Sequence, residues 1–175
     1  TTGTGNINVG ALTWNDALTL RTASGVISIN GTQTMGANNL TITTDSDLNI
    51  GGALTSSGTL TISGQSTATT MGLGTGQAGT LSLTNAEIAN ITNGWANIRM
   101  GNTSATGALN VGALTWNDSL TLRTSTGALN INGAQTMGAN NLTITTNADL
   151  LIGATLTSTG TLSIANQTSA TTVGV

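Results

Sequence analysis

Three kinds of residue in this chain have types and spacings that could do chemistry. Residues 74–79 read GTGQAG, matching the G-x-G-x-x-G that lays a dinucleotide's pyrophosphate on a helix N-terminus. Here TLSLTN follows, which reads as a strand, and Glu87 comes too soon to serve as the ribose acid, so the loop reads as a glycine-rich corner. DSD at 45–47 offers two carboxylates to a calcium ion. Its counterpart at 147–149 is NAD, which loses one of them, and Asp47 and Asp149 then read as turn residues receiving backbone N–H bonds. Asp16, Arg21, Asp118 and Arg123 form a twice-repeated acid and base, the inventory of a polysaccharide-cleaving groove. Each unit holds one Asp and one Arg without a second carboxylate nearby, so an exposed ion pair, or a contact that sets register between neighbouring chains, is the simpler reading.

Other side chains add binding, not catalysis. Trp14 and Trp116 follow Leu12 and Leu114 at even spacing and are expected against a corner of the core; exposed, they would bind sugar or another chain. Met35, Met71, Met100 and Met137 read as core fillers. N-x-S/T triplets such as NLT at 39–41 and 141–143 are what so Asn- and Thr-rich a chain produces without glycosylation.

Composition removes whole classes of function. Charged residues are 5% of 175, aromatics 2%, and Lys, His, Cys and Pro are missing. Three arginines and a net charge of −3 cannot build a nucleic-acid stripe or a polybasic membrane patch. Without His or Cys there is no ordinary zinc or iron site, and no Ser–His or Cys–His nucleophile. No enzyme activity and no cofactor is expected. No apolar run approaches the ~20 residues of a membrane-spanning helix. The chain begins at Thr1 without a signal peptide, which suggests a mature product or a window of something longer.

The elements that position these residues are repeats. GALTWNDALTLRT at 10–22 returns as GALTWNDSLTLRT at 112–124. Residues 1–73 align with 103–175 without a gap, identical at about two-thirds of positions, and 74–102 connect them with a short acidic turn. Inside each copy, aliphatics two apart mark short strands: Ile7/Val9, Leu18/Leu20, Ile27/Ile29, Leu40/Ile42, Leu48/Ile50, Leu60/Ile62 and Leu81/Leu83. Alternate pairs step by 20 to 22 residues, 7 to 27 to 48 and 18 to 40 to 60 to 81. Only NAEIANI at 85–91 reads as a helical turn.

This pattern predicts an all-β chain, a parallel β-solenoid of 20–22 residues per rung. Five rungs fit the 102-residue unit, which would advance about 24 Å at about 4.8 Å per rung. Inward Leu, Ile and Val fill a narrow coil, while Thr19, Thr41, Thr43 and Thr61 face outward. Stacking in register explains the lack of charge, since like charges would repeat at one rung's distance, and stacked Asn can bond along a ladder. Proline is absent because central strands must donate their N–H groups.

Residues 80–101, TLSLTNAEIANITNGWANIRMG, resemble a segment of the filamentous-haemagglutinin-like exoproteins of bacteria. The matching parts are Leu81–Leu83, Ala86–Glu87, Ile91–Thr92 with Gly94, and Ile98–Gly101. The resemblance implies a secreted, two-partner-secretion-type surface protein, an adhesin or fibre at the bacterial cell surface. The expected function is therefore a structural segment of an extracellular fibre, stalk or filament. Its partner is itself, through end-to-end stacking, continuation of the array or lateral bundling, with Trp14, Asp16, Arg21, Trp116, Asp118 and Arg123 as candidate chain–chain contacts. The alternative is a binding module, either a carbohydrate or surface adhesin or an ice-binding Thr ladder. Thr-x-Thr occurs at 32–34, 41–43, 59–61, 67–69 and 143–145, without the uniform spacing a flat ice face needs.

Overall fold

The computed structural model describes residues 3–167. Three strands make each rung of the first copy. The first rung holds β1 (Ile7–Val9), β2 (Leu12–Thr13) and β3 (Leu18–Arg21). The second holds β4 (Ile27–Ile29), β5 (Gln33–Thr34) and β6 (Leu40–Thr43), and the third β7 (Leu48–Ile50), β8 (Leu54–Thr55) and β9 (Thr59–Ser63). A connecting segment follows with β10 (Met71–Leu73), β11 (Leu81–Leu83), α1 (Asn85–Ala89) and β12 (Asn97–Gly101). The second copy repeats the pattern as β13 (Leu109–Val111), β14 (Leu114–Thr115), β15 (Leu120–Arg123), β16 (Leu129–Ile131), β17 (Gln135–Gly138), β18 (Leu142–Thr145), β19 (Leu150–Ile152), β20 (Leu156–Ser158) and β21 (Leu162–Ala165).

Among the described residues all strand pairings are parallel, and apart from β10 with β11 each carries a strand onto its counterpart in the next rung, giving a β-solenoid of about eight turns. Alternation drives this. Leu40, Ile42, Leu60 and Ile62 point inward and are fully buried, while Thr41, Thr43 and Thr61 between them stay half-exposed. Register keeps like on like: Leu18 beside Leu40 beside Leu60, Thr19 beside Thr41 beside Thr61. All four methionines are buried in the core. The expected side-chain ladder is present where Asn130 Nδ2 donates to Asn110 Oδ1 at 2.9 Å.

The three faces are not equally continuous. The third face is one seven-stranded sheet, β3-β6-β9-β12-β15-β18-β21, crossing from the first copy to the second. The first face divides into β1-β4-β7 and β11-β10-β13-β16-β19, and the second into β2-β5-β8 and β14-β17-β20. The sequence series Leu18, Leu40, Leu60 does not go on to Leu81: Leu60 is followed by Ile98, and Leu81 lies on the first face beside Met71. One 102-residue unit therefore takes five strand positions on the first face, as its length suggests, and four on the third. Four steps advance about 19 Å.

The extra strand arises because the chain doubles back. β10 pairs with β13 above it on one edge, and after residues 74–80 the chain returns as β11 on the other. The returning loop crosses Gly72, where a Cβ would lie 2.4 Å from the Gln77 carbonyl oxygen. Only a residue without a side chain lets the two backbones approach so closely.

Candidate functional site

The feature with most local chemistry is the joint between the copies, residues 74–101. Helix α1 is short, and Thr84 and Glu87 form a capping box at its start. Glu87 Oε2 accepts from the Thr84 amide at 2.8 Å, and the Thr84 hydroxyl accepts from the Glu87 amide at 3.3 Å. The other carboxylate oxygen accepts from the Ile50 amide at 3.3 Å, so one side chain ties the helix to the end of β7. Asn90 Nδ2 donates to the Ile50 carbonyl at 2.6 Å, and Ile91 forms a bridge to Leu54. Trp95, 3% exposed, donates its indole N–H to the Leu54 carbonyl at 3.3 Å. Beside the helix lies an open groove of about 390 Å³ lined by Asn85, Ile88, Ala113, Thr115, Ala134 and Thr136, where the second face is interrupted.

The sequence-selected residues do not come together. Trp116 is buried, and Trp14 is half-buried and packs against the core cluster, as expected of a core corner. Asp118 is 5% exposed; its Oδ1 accepts from the Gly94 amide at 2.9 Å while Oδ2 has no partner. Asp16 is exposed. Neither arginine's bond goes to a carboxylate: Arg21 Nε donates to Gln65 Oε1, and Arg123 Nη2 to the Gly101 carbonyl at 3.4 Å. Arg123 Nε is buried without a partner. Burial, and then the neighbouring charge of Arg99, push the Arg123 guanidinium pKa below its usual value. These positions form no acid–base pair able to cleave a glycoside.

The remaining motifs are structural. Residues 74–79 lie in the loop between β10 and β11, with a strand after them and no helix to receive a phosphate. Asp45 Oδ1 accepts from the Ser66 amide at 2.6 Å and from the Thr69 hydroxyl. Asp47 Oδ1 accepts from the Ser82 hydroxyl at 2.9 Å. Among the described residues, no group of three or more acidic side chains converges on a point. None of their helices is long and apolar enough to cross a membrane.

Sequence reasoning missed two glutamines. Gln33 and Gln135 are each 1% exposed and accept the indole N–H of Trp14 and Trp116 at 2.8 and 3.0 Å. The available signal was the pairing of Trp and Gln nineteen residues apart in both copies.

Register also reorganises the threonines. Thr19, Thr41, Thr61, Thr121 and Thr143 share one outward row of the third face, although their sequence spacing is uneven. Arg99 interrupts that row between Thr61 and Thr121. Thr34 belongs to the second face, and Thr32, Thr67 and Thr69 lie outside the strands.

No family model, no curated protein and no solved structure matches this chain.

Proposed function

We propose that this chain is a structural segment of a secreted repetitive surface protein, serving as extracellular fibre, stalk or filament. The observation that carries the reading is the seven-stranded third face, whose ladder runs through the joint from one copy to the next without interruption. Axial load passes along such a ladder as backbone hydrogen bonds, and length grows with repeat number. The motif of residues 80–101 supports assignment to the filamentous-haemagglutinin-like exoproteins, with display at a bacterial cell surface. The partner is the same protein. Of the six candidate chain–chain contacts, Asp16 and Arg21 are exposed, Trp14 and Arg123 are half-buried, and Trp116 and Asp118 are buried, so lateral contacts fall to the first four. Electron microscopy of native material tests the reading. Filaments with layer lines near 4.8 Å and at a long spacing of about 19–24 Å are expected. Discrete short particles would overturn it.

One observation favours a second reading, a binding face. The outward threonines of the third face form an aligned hydroxyl row on a continuous sheet, suited to a flat hydroxylated surface such as an insoluble glycan or ice. Arg99 divides the row, which favours glycan over ice. Retention on insoluble polysaccharide supports this reading. Absence of both retention and thermal hysteresis removes it.

A further inference from the structure

The two copies present the same residues in two states. In the second copy Leu114 is 6% exposed and Asp118 5%, with Leu120 fully buried. Their first-copy counterparts are Leu12, which is 46% exposed, Asp16, which is exposed, and Leu18, which is half-buried. The difference lies in what touches them. Against the second copy runs the joint: β12 pairs with β15 in register, and the Ile98 amide donates to the Ser119 carbonyl at 2.8 Å. Asn97 Nδ2 donates to the Thr121 hydroxyl at 3.0 Å, and Gly94 supplies its amide to Asp118. Beneath β3 the described residues place no strand.

The aspartate marks the rung that meets a joint. Two residues before Leu40 and Leu60, in rungs that lie on another rung of their own copy, stand Asn38 and Gly58. Among the third-face strands that open with Leu, a carboxylate stands at this position only before Leu18 and Leu120. A buried carboxylate needs donors, and the joint brings the Gly94 amide to Asp118.

We infer that the open edge of β1–β3 is a docking surface for the segment from α1 through β12, residues 85–101, of another copy of this repeat, with Asp16 receiving the amide of that segment's Gly94. Leu12 and Leu18 become buried as Leu114 and Leu120 are. The joint is thus a two-sided connector, with one edge on β9 and the other on β15. Rungs of separate copies are held together through it. This rests on the fibre reading for the source of the second copy, and on nothing else in that reading.

The test uses the full chain and a fluorescent peptide of residues 85–102, followed by anisotropy. Saturable binding is expected, weakened at least tenfold by Leu12→Asp and by Asp16→Ala, with a scrambled peptide inactive. Both sites are exposed, so the variants keep the wild-type circular dichroism. Binding that both variants leave unchanged puts the peptide elsewhere and overturns the assignment. Because ordering a free strand opposes binding, the same sequence is also fused ahead of Thr1, matching the step from Asn102 to Thr103. The Leu18 amide is taken by Asn39 on the inner side, so the Thr19 amide faces the open edge. Its hydrogen exchange slows at least tenfold in the fused chain if the strand docks. Unchanged exchange overturns the proposal. Native filaments without docking would leave the fibre reading standing and remove this one; docking without filaments would do the reverse.

Discussion

Trp116 donates its indole N–H to Gln135 Oε1 at 3.0 Å, and the same amide's Nε2 donates to the carbonyls of Gly112 and Gly133 at 2.6 and 2.7 Å. One buried side chain thus satisfies polar groups of two successive rungs. Gln135→Ala strands the indole and two carbonyls and leaves a void. With each orphan worth ~1–3 kcal/mol, a loss of about 3 kcal/mol or more is expected in chemical denaturation. Gln33→Ala removes the same bonds from Trp14, which is half-exposed and can turn to water, so its effect is smaller. Equal losses would show that burial does not set the value of this bond.

Gly101 ends β12 at φ +80°, and a Cβ there would lie 2.1 Å from the Arg123 carbonyl oxygen. Gly10 sits at a corner with nothing within 4 Å and no positive φ. Gly101→Ala combines left-handed strain with a backbone clash at the one face that is continuous through the joint. It is expected to lower the melting temperature by several degrees, from a loss of about 2 kcal/mol or more. Gly10→Ala changes stability by less than about 0.5 kcal/mol. A tolerated Gly101→Ala would mean that the third face bends there without penalty.

The regular part of this fold was legible because a period-2 pattern repeats wherever a strand must bury one side. Leu18, Leu40 and Leu60 announce their stacking partners, and NAEIANI announces a helical turn. The joint was not legible for a physical reason. Leu81/Leu83 carry the same local pattern as any rung strand, and nothing in that pattern distinguishes the third face from the first. The reversal between β10 and β11 depends on how closely backbones approach at Gly72, which a glycine-rich corner does not disclose. The fate of paired residues was hidden likewise. Asp16 and Asp118 stand in stretches that differ in one residue, Ala17 against Ser119, yet one is exposed and the other buried, because burial is set by the neighbouring rung.

Arg99 and Arg123 lie on adjacent strands of the third face, offset by two residues. Burial first, and then Arg99, lower the Arg123 pKa. A base whose folded pKa is depressed weakens the folded state wherever it is protonated. For a guanidinium that window covers every ordinary pH, so no pH optimum arises from it. The effect is visible through salt. Arg99→Thr restores the threonine row and removes the like charge, and is expected to stabilise by ~0.5 kcal/mol at low ionic strength. The gain shrinks as salt screens the pair in the wild type. Melting temperatures across a salt series check this; parallel curves would show that the two guanidiniums do not interact.

Glu87 holds the joint from two sides, capping α1 through Thr84 and accepting from the Ile50 amide at the end of β7. Glu87→Ala loses both contacts, and ~1–2 kcal/mol of local stability is expected to go with them. Glu87→Gln keeps an oxygen for the capping box and is expected to retain most of it. Hydrogen exchange separates a local from a global effect. Since the first and second faces are interrupted at the joint and the third is not, opening α1 exposes the Ile50 and Thr84 amides without disturbing β9, β12 and β15. Faster exchange in Glu87→Ala is therefore expected at Ile50 and Thr84 alone. The solenoid would then bend at each joint while its third face still bears tension. Uniform acceleration along the chain would mean that joint and rungs unfold as one unit, and that the third face cannot carry load when the helix opens.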